Sequence, residues 1–150
     1  MALEITEREV EGITLLELHG RLVAGADAAE LRQRVTQELE AGHKSIILDL
    51  QHVHFIDSSG LGTLVVAHTQ ATRAGGGVKL LRPSRRNIQL LILTKLSTIF
   101  EIFDDEQAAI NSFFPDRERK PFDILEFVKS QPDETQHLGA EPLPEPKPEP

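Results

Sequence analysis

The chain has no cysteine, which excludes a disulfide framework and a metal site built from thiolates. It also has no long apolar run: Leu64–Ala67 and Leu90–Leu93 are the densest, far below the about 20 residues that cross a bilayer. The stretch Met1–Gly20 is too charged for the apolar core of a signal peptide. We therefore expect a soluble, cytoplasmic protein and, from its initial methionine, a complete gene product.

Basic residues are scarce in this chain. Lysine and arginine number 16 against 24 aspartate and glutamate residues, and the net charge is −8. Five acidic residues and one lysine in 131–150 account for half of that charge. Because a phosphate backbone needs a basic surface, the composition argues against a nucleic-acid partner. The 39% of hydrophobic residues in a chain of 150 fits one globular domain with a single core.

The first third of the chain predicts a hairpin, a helix and a buried strand. Leu3–Val10 and Ile13–His19 are strand-like segments separated by a Glu-Gly pair, which is typical of a tight hairpin. A helix ending at Gly42 follows, indicated by apolar residues at helical spacing: Ala28, Leu31, Val35 and Leu39. Ser45–Leu50 is a nearly continuous apolar run, the pattern of a strand covered on both faces.

The following stretch alternates helices with strands. A second helix stops at the Gly75–Gly77 triplet, and its apolar face holds Leu61, Leu64, Val65 and His68. Val78–Leu81 is a short strand, and a third helix starts near Pro83 or Ser84 and carries Ile88, Leu91 and Ile92. Thr98–Phe103 alternates as a last strand. Asp104–Glu106 then places acid at the start of a fourth helix, whose inward residues are Ala109, Ile110, Phe113 and Phe114.

The predicted order is therefore β-β-α-β-α-β-α-β-α, a single α/β domain over residues 1–114. Strands that alternate with helices imply right-handed parallel crossovers, and the first hairpin adds an antiparallel element to a mostly parallel, mixed sheet packed against helices. Residues 115–130 are charged but contain apolar residues, which predicts a short amphipathic helix that docks on the domain or on a partner. Residues 131–150 alternate proline with acid, which predicts a disordered acidic, proline-rich tail.

The most informative motif is the stretch Phe55–Gly62, with the core Asp-Ser-Ser-Gly-Leu-Gly, at the junction between a strand and the second helix. Asp57 and the two serines are natural N-cap residues, so a capped helix with no further role is one interpretation. Gly60 and Gly62 have no side chain, so another backbone could approach this surface closely. A phosphoryl group on a serine here would meet free N–H groups and a partial positive charge, and its new negative charge would be felt by any protein bound to this surface.

This motif resembles the signature of the anti-sigma factor antagonists of the STAS domain family. The similarity extends over residues 3–114, because the order of strands and helices also matches. Weaker points of agreement are Gly20-Arg21-Leu22, Gly75-Gly76-Gly77 and Thr94-Lys95-Leu96.

The resemblance implies a partner-switching cycle in transcription regulation, of the kind used in stress responses. The unphosphorylated antagonist binds an anti-sigma factor with a histidine-kinase-like ATPase fold, and this serine kinase phosphorylates Ser58 and so releases itself. A phosphatase resets the switch. ATP belongs to the kinase, so this chain is its substrate, needs no cofactor and is not an enzyme. The residues that the resemblance assigns to partner binding are Asp57, Ser58, Ser59, Gly60, Leu61 and Gly62.

Other candidates have simpler interpretations. His52 and His54 lack further metal ligands nearby, so a loop or edge-strand position is favoured over a metal site. The triple glycine follows a helix instead of opening one and lacks the lysine of a phosphate loop. No histidine and acid are placed to activate a serine as in a hydrolase. Arg82, Arg85 and Arg86 are expected to be exposed, with docking of an acidic partner as the alternative.

Two further functions remain open at this point. One is a STAS subunit that stabilises a larger lipid-transport or sensory assembly without any modification of Ser58. The other is an enzyme or nucleotide-binding protein, and only the small glycine-rich turns support this function.

Overall fold

The computed structural model describes residues 2–118 and 120–130, which form a five-stranded sheet with helices packed against it. The strands and helices, in chain order, are β1 (Glu4–Val10), β2 (Ile13–Leu22), α1 (Ala26–Glu40), β3 (Ser45–Ile56), α2 (Ser58–Arg73), β4 (Gly77–Leu81), α3 (Arg85–Leu93), β5 (Ile102–Phe103), α4 (Glu106–Asn111) and α5 (Ile124–Lys129). The predicted α/β order is confirmed, and α5 follows it. The predicted tail at 131–150 lies outside the described residues.

The strands lie in the sheet in the order in which they occur in the chain. β1 pairs antiparallel with β2, and β2, β3, β4 and β5 are parallel to one another. The hairpin between β1 and β2 is made by Glu11 and Gly12, with φ angles of 53° and 80°. Positive φ at both central residues gives the turn that matches the twist of the two strands.

The helices cover the two faces of the sheet unequally. Successive right-handed crossovers that always step to the next strand place α1, α2 and α3 on one face. The main core there contains Leu31 of α1, Leu64 of α2 and Leu91 of α3, packed with strand residues such as Leu48. On the opposite face α4 packs Ala109 and Ile110 against a smaller cluster of Ile13, Leu15, Ile47, Leu81 and Phe103. Residues 46–50 are buried throughout, as predicted for a strand covered on both faces.

The prediction of a strand over Thr98–Phe103 is wrong for most of that segment. Only Ile102–Phe103 pairs with β4, and a 3-10 turn at Leu96–Thr98 precedes it. The backbone bonds locally here, because Phe100 N donates to Leu96 O at 3.1 Å. The alternating pattern arose because Phe100 is buried from a turn instead of from a strand. Similarly, α4 ends at Asn111, so Phe113 and Phe114 lie beyond it and are half-buried against the smaller cluster.

The segment after α4 returns to the domain and contains α5. Asp123 caps this helix by accepting a hydrogen bond from Glu126 N at 3.0 Å. The rings of Phe122 and Phe127 lie 5.7 Å apart, and Phe122 and Ile124 pack against the main core. Phe122, Ile124 and Phe127 therefore pack on the domain, whereas Leu125 and Val128 are exposed.

A cluster of titratable side chains joins α1 to β1 and gives a pH-dependent prediction. The buried carboxylate of Glu38 lies 2.7 Å from His43 Nδ1, and this hydrogen bond raises the pKa of His43 above its ordinary value. Glu7, Glu9 and Arg34 also face this cluster. Because the pKa of His43 is higher in the folded protein than in the unfolded chain, its hydrogen bond to Glu38 stabilises the fold fully below about pH 6.5. This stabilisation is lost as the pH rises through the pKa of His43 in the folded protein.

Replacement of His43 by glutamine is therefore expected to destabilise the protein more at about pH 5.5 than at about pH 8.5. Urea unfolding of both proteins at the two pH values measures this difference. A destabilisation of the same size at both pH values would contradict the role given to the charged imidazole.

Candidate functional site

The junction between β3 and α2 is organised by the carboxylate of Asp57, the N-cap of α2. Its Oδ1 accepts a hydrogen bond from Gly60 N at 2.8 Å, and its Oδ2 accepts one from Ala24 N at 3.0 Å. Its own N–H donates to Leu22 O at 3.2 Å. These backbone donors, Gly60 first and Ala24 second, lower the pKa of Asp57 below its ordinary value. Asp57 is therefore an ionised side chain that holds the β2–α1 loop against the first turn of α2.

Gly60 allows α2 to start directly against the end of β2. A Cβ at this position would lie 2.2 Å from Leu22 O and 2.9 Å from Ile56 Cγ2, so any larger residue would collide with the backbone. The close approach that the motif suggested at Gly60 is thus made by this chain's own β2. A Cβ at Gly62, in contrast, would meet nothing within 4 Å.

The structure divides the six residues predicted for partner binding into two groups. Ser58, Ser59 and Gly62 are exposed and Asp57 is partly exposed, whereas Gly60 and Leu61 are buried. The exposed residues are therefore available to another protein, whereas Gly60 and Leu61 lie on the buried side of α2.

The two serines of the motif face different sides of α2. Ser58 lines a groove that α2 shares with α3. Ser59 lines a depression toward α1, together with Gly25 and Arg32. A modification of Ser58 and one of Ser59 would therefore be presented to different surroundings, although the residues are adjacent in the chain.

The groove beside Ser58 has a volume of about 720 Å³ and combines apolar walls with two arginines. Its lining residues are Phe55, Ile56, Asp57, Ser58, Leu61, Arg85, Arg86, Gln89, Leu90, Leu93 and Thr94. Phe55 is 36% exposed and Leu93 is 68% exposed, high values for large apolar side chains. The Arg86 guanidinium lies over the Phe55 ring, 5.1 Å from its centre. A surface of this kind is suited to an apolar partner segment with some acidic character.

The position of α3 beside this groove is fixed by two side chains. Ser84 caps the helix by accepting a hydrogen bond from Asn87 N at 3.2 Å, which agrees with the predicted start. The amide of the fully buried Asn87 donates to Val53 O at 3.1 Å and so joins α3 to β3. Both walls of the groove are therefore attached to β3, α2 directly through the chain and α3 through Asn87.

Sequence reasoning missed Phe55 and Leu93 as groove residues, and it missed the role of Asn87. Leu93 could have been identified from the sequence, because it is an apolar residue that lies off the apolar face formed by Ile88, Leu91 and Ile92. The sequence indicates Asn87 less clearly, as a polar residue next to that face. Phe55 gave no separate signal, since it stands in a motif whose interpretation centred on the serines.

The remaining candidates behave as structural residues. His52 and His54 are exposed, and the His52 ring stacks on His19 with 4.8 Å between the ring centres. Within 2–118 and 120–130, the one group of three metal-ligating side chains that lie together is Glu7, Glu38 and His43, so neither His52 nor His54 belongs to such a group.

The triple glycine and Arg82 also have structural roles. Gly75, with φ of 94°, follows the end of α2, and Gly76 N donates to Ala71 O, so the predicted helix stop is confirmed. Arg82 forms an ion pair with Asp49 and is absent from the residues that line the groove with Arg85 and Arg86. Among the residues described, no helix has the length and apolar character needed to cross a membrane.

Comparison with known proteins places this geometry in a family. Residues 4–109 match the family model of the STAS domain. BtrV of Bordetella bronchiseptica, which is named as an anti-sigma factor antagonist, is 24% identical over 113 residues, covering 74% of this chain and 95% of BtrV.

Two solved structures show the same fold. A crystal structure named as that of an anti-sigma factor antagonist from Thermotoga maritima superposes with a TM-score of 0.69 at 27% identity, covering 73% of this chain and 93% of the other. The Bacillus protein SpoIIAA in its phosphorylated form has the same fold, with a TM-score of 0.58 at 20% identity and coverage of 73% and 98%. The chain thus belongs to the STAS domain family.

Proposed function

We propose that this protein binds an anti-sigma factor that is also a serine kinase with a histidine-kinase-like ATPase fold, and that phosphorylation of Ser58 ends the complex. The observation that carries this proposal is the position of Ser58, exposed on the first turn of α2 and lining the apolar groove. A charge added there changes the surface that a partner would contact.

The chemistry of the switch follows from that position. The Ser58 hydroxyl takes the γ-phosphoryl group of ATP held by the kinase, ADP leaves, and the hydroxyl proton passes to a base of the kinase. The modified side chain carries about −1.5 to −2 charges at neutral pH. Because Ser58 lies on the first turn of α2, the partial positive charge of that helix end favours the new anion, and we expect the main effect to fall on the partner.

The chain acts as substrate and binding protein in this scheme, and not as an enzyme. ATP is bound by the partner, a separate phosphatase restores Ser58, and the cycle runs in the cytoplasm. The existence of a phosphorylated form of SpoIIAA, which has the same fold, supports modification of this scaffold.

Phosphorylation is tested with the purified protein and the histidine-kinase-like ATPase that its unmodified form captures from the native host. With ATP, we expect phosphate on Ser58, full loss of that signal in Ser58→Ala, and retention in Ser59→Ala, the matched control. Ser58→Glu is expected to weaken the complex at least about tenfold in Kd, measured by calorimetry, because it places negative charge at the interface.

A different result would favour the alternative function. If Ser58 stays unmodified and both Ser58→Ala and Ser58→Glu bind the captured partner like the wild type, the proposal is wrong. The exposed apolar groove would then serve as a permanent contact of a non-switching STAS subunit in a larger assembly, such as a lipid-transport or sensory complex.

A further inference from the structure

The groove beside Ser58 contains two arginines that the proposed switch has not yet used. Arg85 and Arg86 are exposed on the first turn of α3 and line the same groove as Ser58. Arg86 lies over Phe55, which is three residues before Ser58, and three residues of extended chain span at most ~10 Å. Arg86 and Ser58 thus line one groove, and the long side chain of Arg86 ends in a guanidinium that can turn within it.

The placement of these arginines opposes the usual preference of helices. The first turn of a helix carries partial positive charge and favours acidic residues. In α1, α4 and α5 the first turn contains Asp27, Glu106 and Glu126, respectively. α2 and α3 have no acidic residue in their first turns, and among the described α-helices α3 is the one that has arginines there, Arg85 and Arg86. Two cations at an unfavourable position beside a groove indicate a role that involves an anion in that groove.

The proposed function supplies one such anion, a phosphoryl group on Ser58. The carboxylate of Asp57 is ionised and adjoins Ser58, so a phosphoryl group on Ser58 places negative charge next to negative charge. Arginine binds phosphate oxygens with two parallel hydrogen bonds, and Arg86 lines the same groove as Ser58.

We propose that Arg86 binds the phosphoryl group of phosphorylated Ser58 within the same molecule, with the positive charge of Arg85 nearby adding to the attraction; this inference rests on the proposed modification of Ser58. Binding draws Arg86 away from the Phe55 ring and removes the basic rim of the groove. The modified protein thereby loses the cations that an acidic partner segment would contact. Release of the partner follows from this rearrangement and from the added negative charge together.

The test requires no kinase, because phosphoserine can be incorporated at position 58 during translation. The ³¹P NMR signal of the phosphoryl group is titrated with pH in the otherwise unchanged protein and in Arg86→Gln and Arg85→Gln variants. A nearby cation stabilises the dianion and lowers its second pKa. We therefore expect Arg86→Gln to raise that pKa by about 1, with a smaller rise for Arg85→Gln.

Two controls make the result specific. Arg73→Gln removes an exposed arginine in the last turn of α2 and is expected to leave the titration unchanged. Phosphoserine at position 59, which faces α1, is expected to titrate identically with and without Arg86. Equal second pKa values for phosphoserine 58 in the wild type, Arg86→Gln and Arg85→Gln proteins would overturn the proposal. That outcome would leave the proposed function standing, because the kinase assay tests modification of Ser58 separately.

Discussion

Replacement of Gly60 by alanine is expected to destabilise the protein by about 3 kcal/mol, a large fraction of the stability of a domain of this size. The added Cβ would lie 2.2 Å from Leu22 O, and a backbone atom cannot turn aside as a flexible side chain can. The first turn of α2 would have to move away from β2, and the two hydrogen bonds of Asp57 to Gly60 and Ala24 would lengthen together. Urea unfolding gives the free energy of unfolding directly.

The matched control is Gly62→Ala, two residues further along the same helix. A Cβ there meets nothing within 4 Å, and alanine is a better helix former than glycine, so we expect stabilisation of up to about 1 kcal/mol. The two variants add the same methyl group and should change stability in opposite directions. A small effect of Gly60→Ala, similar to that of Gly62→Ala, would show that α2 can shift freely against β2.

Replacement of Arg82 by methionine is expected to cost about 2 kcal/mol. Asp49 is only 3% exposed, and its carboxylate is paired with Arg82 Nη2 at 2.9 Å while it accepts a hydrogen bond from Gln51 N at 3.0 Å. Methionine keeps an unbranched side chain that can pack like the aliphatic part of arginine but removes the charge, which leaves the buried Asp49 carboxylate without the Arg82 cation. The expected loss is at the lower end for buried pairs because the Arg82 side chain is 33% exposed.

A second variant separates the charge from the packing. Asp49→Asn combined with Arg82→Met removes both charges and retains an oxygen for Gln51 N, so at least half of the lost stability should return. Arg73→Met, on an exposed part of α2, should change the free energy of unfolding by less than about 0.5 kcal/mol. If the double variant is no more stable than Arg82→Met alone, the unpaired carboxylate is not the cause of the loss.

Much of the fold was predictable because local patterns and tertiary packing agree. The Glu-Gly hairpin, the apolar run of β3 and the glycine stop after α2 each have one physical interpretation, and the structure confirms all three. The segment before β5 was not predictable in the same way. An alternating apolar pattern indicates a strand only when neighbouring backbone is available for pairing, and here the local turn at Leu96–Thr98 takes up those backbone groups.

The candidate site was predictable in its chemistry but not in its surroundings. The motif predicted an acid and two serines at a helix start, and Asp57 does cap α2. The sequence did not indicate that Ser58 and Ser59 face different neighbours, because that depends on where α1 and α3 lie around α2. It also did not indicate that Phe55 and Arg86 meet, since they come from separate elements that only the tertiary fold brings together.

The return of the chain after α4 has a consequence for self-association. β5 is the last strand of the sheet, and its Phe103 carbonyl accepts a hydrogen bond from the N–H of Arg82, the residue after β4. The neighbouring carbonyl of Ile102 points the other way, to the edge where a strand of another copy could add. Phe122 N donates to that carbonyl at 2.6 Å, so a pairing point on this edge is already occupied from within the molecule.

At the opposite edge, β1 discourages strand addition by its charged residues Glu4, Glu7, Arg8 and Glu9. The sheet is thus protected against growth at one end by its own chain and at the other by electrostatic repulsion.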